Sequence, residues 1–99
     1  MKFLNNLYKI IDKKTRNREK NSYSYTVYKN PKLLRKKIIE EANELVRTKN
    51  KNQVVWEASD LLYFITLFLV KRKVKLENVE NKLKERNLIK SRKLKQRRR

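Results

Sequence analysis

The amino-acid sequence predicts an all-α protein, a small helical bundle with four main helices and a core that is completed by oligomerisation. The 99-residue chain contains no glycine and a single proline, so it lacks the residues that tight β-hairpin turns need. Its apolar residues recur at helical spacing. The run from 61 to 70 has no charged residue, and one subunit of this size has too little surface to cover a helix that is apolar all round. We therefore expect a homodimer or a higher homo-oligomer.

Four segments carry the helical pattern. Asn30 and Pro31 form a start signal, because asparagine caps helices and proline is favoured in the first turn. Residues 15–30 are polar and are expected to form a loop before this start. The predicted helices are 3–11, 31–48, 53–70 and 76–86.

The length of the chain allows one domain, which we place at residues 1–87. Residues 88–99 are dominated by lysine and arginine and end in three arginines. Such a run of like charges cannot bury an apolar face, so we expect a solvated basic C-terminal tail.

The composition also restricts the chemistry. The chain has no cysteine and no histidine, which excludes disulfides and the usual zinc ligands, so any metal must be a hard cation bound by oxygen atoms. The apolar run 61–70 is shorter than the roughly 20 residues that span a bilayer. Residues 1–6 are too polar for a secretory signal. We expect a cytoplasmic protein without membrane association.

The net charge of +19 is the obvious argument for nucleic-acid binding, because lysine and arginine neutralise phosphates. However, lysine and asparagine are enriched along the whole chain, which raises the charge without creating a binding face. We therefore expect no dedicated nucleic-acid partner. A basic RNA-binding helical protein remains an alternative.

Acidic residues, in contrast, are concentrated in one stretch. Five of the ten acids of the chain lie between residues 40 and 60, where there are three basic residues. They are Glu40, Glu41, Glu44, Glu57 and Asp60. The alternative is that they are surface acids that pair with neighbouring lysines.

The spacing of these acids favours a metal site. Glu41 and Glu44 are three residues apart, as are Glu57 and Asp60, so each pair shares a helix face. An antiparallel hairpin that turns near residue 50 brings Glu44 opposite Glu57 and Glu41 opposite Asp60. Carboxylates this close repel one another unless a cation lies between them. We predict a Mg²⁺ site, with Mn²⁺ as an alternative, whose candidate ligands are all five acids.

The acidic segments resemble a known pair of motifs. Residues 37–44, KIIEEANE, and 56–64, WEASDLLYF, are similar to the EExxE and ExxD motifs of the all-alpha nucleotide pyrophosphohydrolases, the MazG-like superfamily. Within it the chain most resembles the phosphoribosyl-ATP pyrophosphohydrolase family. Residues 75–79, KLENV, resemble that family's SLEDV segment, and the likeness covers about residues 7–87. The chain departs from the family pattern at Ser59, Phe64 and Lys73. Lys73 occupies a position where the family usually has a glycine, and we expect strain at a helix C-cap at this residue.

A serine-tyrosine-threonine loop precedes the first motif in that family. Ser22-Tyr23-Ser24 lies at the family's interval, whereas Ser24-Tyr25-Thr26 is a better literal match that needs a two-residue deletion. Both registers stay open.

The resemblance implies Mg²⁺-dependent hydrolysis of 1-(5-phosphoribosyl)-ATP, a step of histidine biosynthesis. A carboxylate that is not fully committed to the metal, Glu40 or Glu44, would orient or deprotonate the attacking water. Ser22, Tyr23 and Lys37 are candidate substrate contacts. A MazG-like house-cleaning nucleoside triphosphate pyrophosphohydrolase is the alternative enzyme. Two aromatic residues, Trp56 and Tyr63, flank the acids. Stacking on adenine is one alternative for them, but we expect them in the core, because aromatics at helical spacing usually pack there.

Overall fold

The computed structural model describes residues 2–93, with side chains at 2–87. This part of the chain is entirely helical apart from its turns, so the all-α prediction is confirmed. The helices are α1 (Lys2–Arg16), α2 (Tyr23–Tyr28), α3 (Pro31–Val46), α4 (Lys51–Lys71) and α5 (Leu76–Lys93).

The helix boundaries differ from the predicted ones mainly in two places. The segment predicted as a loop contains the end of α1 and the whole of the short α2, so that prediction is wrong for half of its length. α5 continues to Lys93, past the predicted end at residue 86. The predicted basic tail therefore begins inside a helix, and residues 94–99 lie outside the described part of the chain.

Three helices begin at a polar cap residue. Ser22, Asn30 and Asn50 precede α2, α3 and α4, and each side-chain oxygen accepts a hydrogen bond of 2.9–3.2 Å from the backbone N–H three residues further on. Each cap pairs an N–H group that the helix leaves without a partner. The short turn that Asn50 closes makes α3 and α4 a helical hairpin.

Two helices end in a left-handed residue that is not glycine. At the end of α4, Lys73 has a φ of 59°, its N–H donates to the Val70 carbonyl at 3.1 Å, and the Val74 N–H donates to the Leu69 carbonyl at 2.9 Å. This is the hydrogen-bond pattern of a Schellman cap. Arg18, with a φ of 52°, ends α1 in the same way. The C-cap geometry expected at Lys73 is confirmed. Because the chain has no glycine, a residue with a side chain adopts the left-handed conformation at both helix ends, which is sterically unfavourable.

The buried core lies at one end of the α3–α4 hairpin. There the beginning of α3 and the end of α4 pack against α1 and α2. The buried apolar residues are Ile11, Val27, Leu34, Phe64, Leu67 and Val70. The other end of the hairpin, residues 45–56, contains no buried residue and extends beyond this core.

Among the described residues, α4 is the one helix that is long and apolar enough to cross a membrane by length and composition. Core helices of globular proteins meet the same criterion. In this fold α4 contacts α1, α2 and α3 and supplies Phe64, Leu67 and Val70 to the core. It is the central helix of the bundle.

Candidate functional site

Three carboxylates from two helices meet where the core ends. Glu41 of α3 and Glu57 and Asp60 of α4 each offer an oxygen, and these oxygens lie within 4.8 Å of one another. Glu57 and Asp60 share a face because they are three residues apart on one helix. The hairpin then brings Glu41 opposite them, as the antiparallel pairing of Glu41 with Asp60 predicts. We call these three residues the carboxylate triad.

The triad is electrostatically unfavourable without a cation. Burial raises the pKa of Glu41 above its usual value, and a hydrogen bond with Glu57 and the charges of Asp60 and Glu57 raise it further, while Lys37 opposes this. Each of these effects except that of Lys37 penalises the ionised form. Three carboxylate oxygens at this spacing are a donor set that suits a hard divalent cation.

Glu44 lies beside the triad rather than in it. It borders a polar cavity of about 330 Å³ at the open end of the hairpin. Glu57 borders the same cavity, so the predicted neighbours Glu44 and Glu57 line one space. The remaining lining residues are Arg47, Thr48, Lys49 and Gln53.

Glu40 points away from the triad toward two lysines. Its carboxylate lies 3.4 Å from the Lys37 Nζ and 4.0 Å from the Lys36 Nζ. Adjacent residues on a helix are about 100° apart around its axis, so Glu40 and Glu41 face different surroundings. The structure thus brings three of the five predicted ligands together, places Glu44 next to them and pairs Glu40 with lysines.

Lys37 lies between Glu40 and the triad. Its hydrogen bond with Glu40 is the main cause of its raised pKa, and the charges of Glu40 and Glu41 and the nearby Tyr23 contribute. The ring of Tyr23 is half exposed and stacks on the ring of Tyr63, with centroids 6.4 Å apart. Of the predicted substrate contacts, Lys37 therefore lies near both Tyr23 and Glu41.

The third predicted contact, Ser22, caps α2. Its buried side-chain oxygen accepts the hydrogen bond of the Tyr25 N–H at 3.2 Å. The neighbouring Ser24 is also buried and shares a hydrogen bond of 2.5 Å with the Tyr63 hydroxyl. Burial raises the pKa of Tyr63, which this hydrogen bond partly offsets. Ser22 therefore fixes the start of α2, whereas Ser24 holds α2 against α4. Sequence reasoning missed the second link because it joins residues far apart in the chain.

The two aromatic residues beside the triad have different surroundings. Tyr63 is half-buried and packs against the core, as expected. Trp56 is 70% exposed, so its predicted core position is wrong for the single chain. The core ends before the turn of α4 that carries Trp56, and helical periodicity alone does not show where a core ends.

Comparison with known proteins agrees with this geometry. The family model for phosphoribosyl-ATP pyrophosphohydrolase matches residues 4–87. The chain is 32% identical over 84 residues to the phosphoribosyl-ATP pyrophosphatase of Clostridium novyi, covering 81% of this chain and 76% of that protein. No solved structure matches the chain significantly.

Longer fungal proteins are similar over the same region. The histidine biosynthesis trifunctional protein of Saccharomyces bayanus is 39% identical over 79 residues, which cover 80% of this chain and 10% of that protein. For the histidine biosynthesis bifunctional protein of Schizosaccharomyces pombe, the identity is 40% over 74 residues, covering 75% of this chain and 18% of the relative. The chain thus spans a small part of these fungal relatives. The matched region contains the triad and most of the described helices, and by this match the chain belongs to the phosphoribosyl-ATP pyrophosphohydrolase family.

Proposed function

We propose that the chain hydrolyses 1-(5-phosphoribosyl)-ATP to 1-(5-phosphoribosyl)-AMP and pyrophosphate, the second step of histidine biosynthesis. The observation that carries the proposal is the triad, because Glu41, Glu57 and Asp60 stand at motif positions and meet within 4.8 Å. The names of the relatives support the same substrate and pathway.

Glu41, Glu57 and Asp60 would hold the divalent cation of this reaction. Mg²⁺ fits best, with Mn²⁺ as the alternative, because these ions take oxygen ligands and Mg²⁺ retains several waters beside one or a few carboxylates. Bound there, the ion supplies charge neutralisation on the phosphate chain and polarises the attacked phosphorus.

Glu44 is our candidate for orienting and deprotonating the attacking water. It borders the same cavity as Glu57, so a water in that cavity is within reach of both the triad and Glu44. The alternative base, Glu40, has its carboxylate next to the ammonium groups of Lys36 and Lys37, so it is directed at these lysines and not at a water beside the triad. Glu40 instead holds Lys37 at the edge of the site.

Lys37 and Tyr23 are the proposed substrate contacts. The Lys37 Nζ is a cation held near Glu41 by Glu40, suited to a phosphate oxygen of the substrate. Tyr23 exposes half of its surface beside it. Ser22 contributes indirectly, because its cap fixes the start of the helix that carries Tyr23.

The proposed assembly is a homodimer formed through an exposed apolar face of the hairpin. Only 22% of the most apolar 18-residue stretch of α4 is buried within the chain. Five large apolar residues of α3 and α4 are exposed on the side away from the triad. They are Ile39, Val46, Val55, Leu62 and Ile65. We further propose a cytoplasmic location, as expected of a biosynthetic enzyme with a small soluble substrate, and no nucleic-acid partner.

Pyrophosphate release measured on separate substrates tests the activity. We expect Mg²⁺-dependent release from phosphoribosyl-ATP at least tenfold faster than from ATP or a deoxynucleoside triphosphate at equal concentration. Faster release from ordinary triphosphates would instead assign the house-cleaning activity. Glu41→Gln and Asp60→Asn should each abolish turnover while the helical circular dichroism is retained.

Glu85→Gln is the matched control, since Glu85 is an exposed α5 carboxylate that pairs with Lys82. Its turnover should equal that of the unchanged chain. Activity that survives both triad substitutions would contradict the proposal.

Light scattering tests the assembly. Leu62→Lys places a charge in the proposed apolar interface and should shift the mass from dimer to monomer. Phe3→Lys, at a position of α1 that is 74% exposed, should leave the mass unchanged. A monomeric unchanged chain would refute the dimer.

A further inference from the structure

The inner face of α4 changes from buried to exposed along its length. Val70 and Leu67 are buried, Tyr63 is half-buried and Trp56 is 70% exposed. These residues follow helical spacing at 70, 67, 63 and 56, so they form one stripe. Trp56 therefore continues the core face of α4 into a region that α1 and α2 do not cover.

The stripe passes through the carboxylate triad. Asp60 lies on the same face, four residues after Trp56, and Glu57 is the adjacent residue. Residues four apart on a helix are neighbours separated by about one turn, roughly 5.4 Å of rise. The large flat ring of Trp56 therefore lies about one turn from the proposed metal ligand Asp60. A nucleotide has a complementary arrangement, because its flat base is joined through a sugar to a phosphate chain.

A protein partner is a poor candidate for covering this face. Any chain packed on Trp56 would also cover Asp60 and Glu57, and burying carboxylates that already repel one another is costly. The proposed dimer face is on another side of α4. Its residues Val55 and Leu62 directly precede Trp56 and Tyr63 in the sequence, and adjacent residues are about 100° apart around the helix axis. A nucleotide avoids this cost, since its phosphates arrive with the cation that the carboxylates need.

We propose that Trp56 is the nucleobase-binding residue of the site, on whose indole ring the adenine of the substrate stacks while its phosphates lie at the triad. This inference rests on the proposed function. Stacking on an exposed indole favours purines because their larger ring covers more of it. Trp56 thus contributes to substrate choice, whereas the triad recognises the phosphates that all nucleoside triphosphates share.

Fluorescence tests the contact directly, because Trp56 is the only tryptophan of the chain. Titration of the full chain with phosphoribosyl-AMP and Mg²⁺, corrected for ligand absorbance, should give saturable quenching. Inorganic tripolyphosphate with Mg²⁺, which has no base, should leave the emission nearly unchanged. Equal quenching by both ligands, or by neither, would overturn the proposal.

Kinetics provide a second test. Trp56→Ala should raise the KM for phosphoribosyl-ATP about tenfold, the order expected for one stacked base, and change kcat less than twofold. Trp56→Phe should restore most of the KM. Phe3→Ala, which removes an equally exposed aromatic ring from α1, is the control and should match the unchanged chain.

These outcomes separate the inference from the proposed function. If the unchanged chain turns over phosphoribosyl-ATP but Trp56→Ala keeps its KM, the nucleobase assignment is wrong and the activity stands. If Trp56→Ala becomes monomeric by light scattering, Trp56 is a partner contact and the assignment is again wrong. If the unchanged chain has no turnover, the proposed function fails, and the quenching experiment still decides whether Trp56 contacts the base.

Discussion

Glu57→Gln removes one negative charge from the carboxylate triad while keeping the size and hydrogen-bonding capacity of the side chain. Two unit charges 4.8 Å apart, the upper limit of the spacing in the triad, repel by about 0.9 kcal/mol in water and by about 3.5 kcal/mol at an effective dielectric constant of 20. Asp60 is exposed and Glu57 is half-buried, so the lower value applies more closely. We expect this substitution to stabilise the metal-free chain by about 1 kcal/mol.

A stabilisation of this size is measurable by thermal unfolding. For a domain of this length, about 1 kcal/mol corresponds to a rise in Tm of about 4–8 °C. The measurement needs EDTA, low salt, pH 7.5 and one protein concentration, because the stability of an oligomer depends on concentration. In 1 M salt the difference should shrink, since the Debye length falls to about 3 Å.

Mg²⁺ should reverse this difference, so that the unchanged chain has a higher Tm than Glu57→Gln. A ligand at 100 times its Kd stabilises the folded state by about 2.7 kcal/mol, and we expect this gain for the unchanged chain and little of it for Glu57→Gln. Glu85→Gln removes a carboxylate from an exposed ion pair with Lys82 and should change the Tm slightly downward, with or without Mg²⁺. A lower metal-free Tm for Glu57→Gln, or equal gains from Mg²⁺, would refute the reasoning.

Three further substitutions test other parts of the structure. Because the pKa of Glu41 is raised above its ordinary value of 4.5, the folded chain binds more protons than the unfolded chain between the two values. Its stability should therefore fall as the pH rises through that window, and Glu41→Gln should flatten this dependence in urea unfolding at pH 4.5–7 without Mg²⁺. Lys73→Gly removes the steric cost of a left-handed lysine, although glycine also increases the entropy of the unfolded chain. The net result should be a rise in the free energy of unfolding of about 0.5–1 kcal/mol. An unchanged or lower urea midpoint would contradict this. Tyr63→Phe removes the hydrogen bond to Ser24 and should lower the free energy of unfolding by about 1–2 kcal/mol. Tyr25→Phe is the control and should leave the free energy of unfolding nearly unchanged, because no hydrogen bond of the Tyr25 hydroxyl is found among the described residues.

Helical periodicity predicted α1, α3 and α4 because each of these helices buries residues on one face. The short helix α2 was missed because six residues make fewer than two turns, too few to show a period. Its formation depends on the cap at Ser22 and on burial of Val27 against the other helices. The second of these is a tertiary effect that no local pattern contains.

The same difference between local and tertiary information applies to the site. The meeting of Glu41 with Asp60 follows from two local facts, the spacing of acids on each helix and the short turn at Asn50. The orientation of Glu40 toward lysines follows from its position one residue before Glu41, which turns it away from the triad, and this too could be predicted from the sequence. The exposure of Trp56 was not, since it depends on how far α1 and α2 reach along α4.

The position of the triad relates the charge of the chain to its proposed chemistry. Three carboxylates alone would repel a triphosphate, yet they belong to a chain of net charge +19. At distances near the Debye length of about 8 Å the summed positive charge attracts an anionic substrate. At contact distance the triad favours only an anion that brings a divalent cation with it. Under the proposed function, the lysine-rich surface would support capture without forming a specific binding face, and selectivity for a metal-bound nucleotide would arise where the core ends and the acids meet.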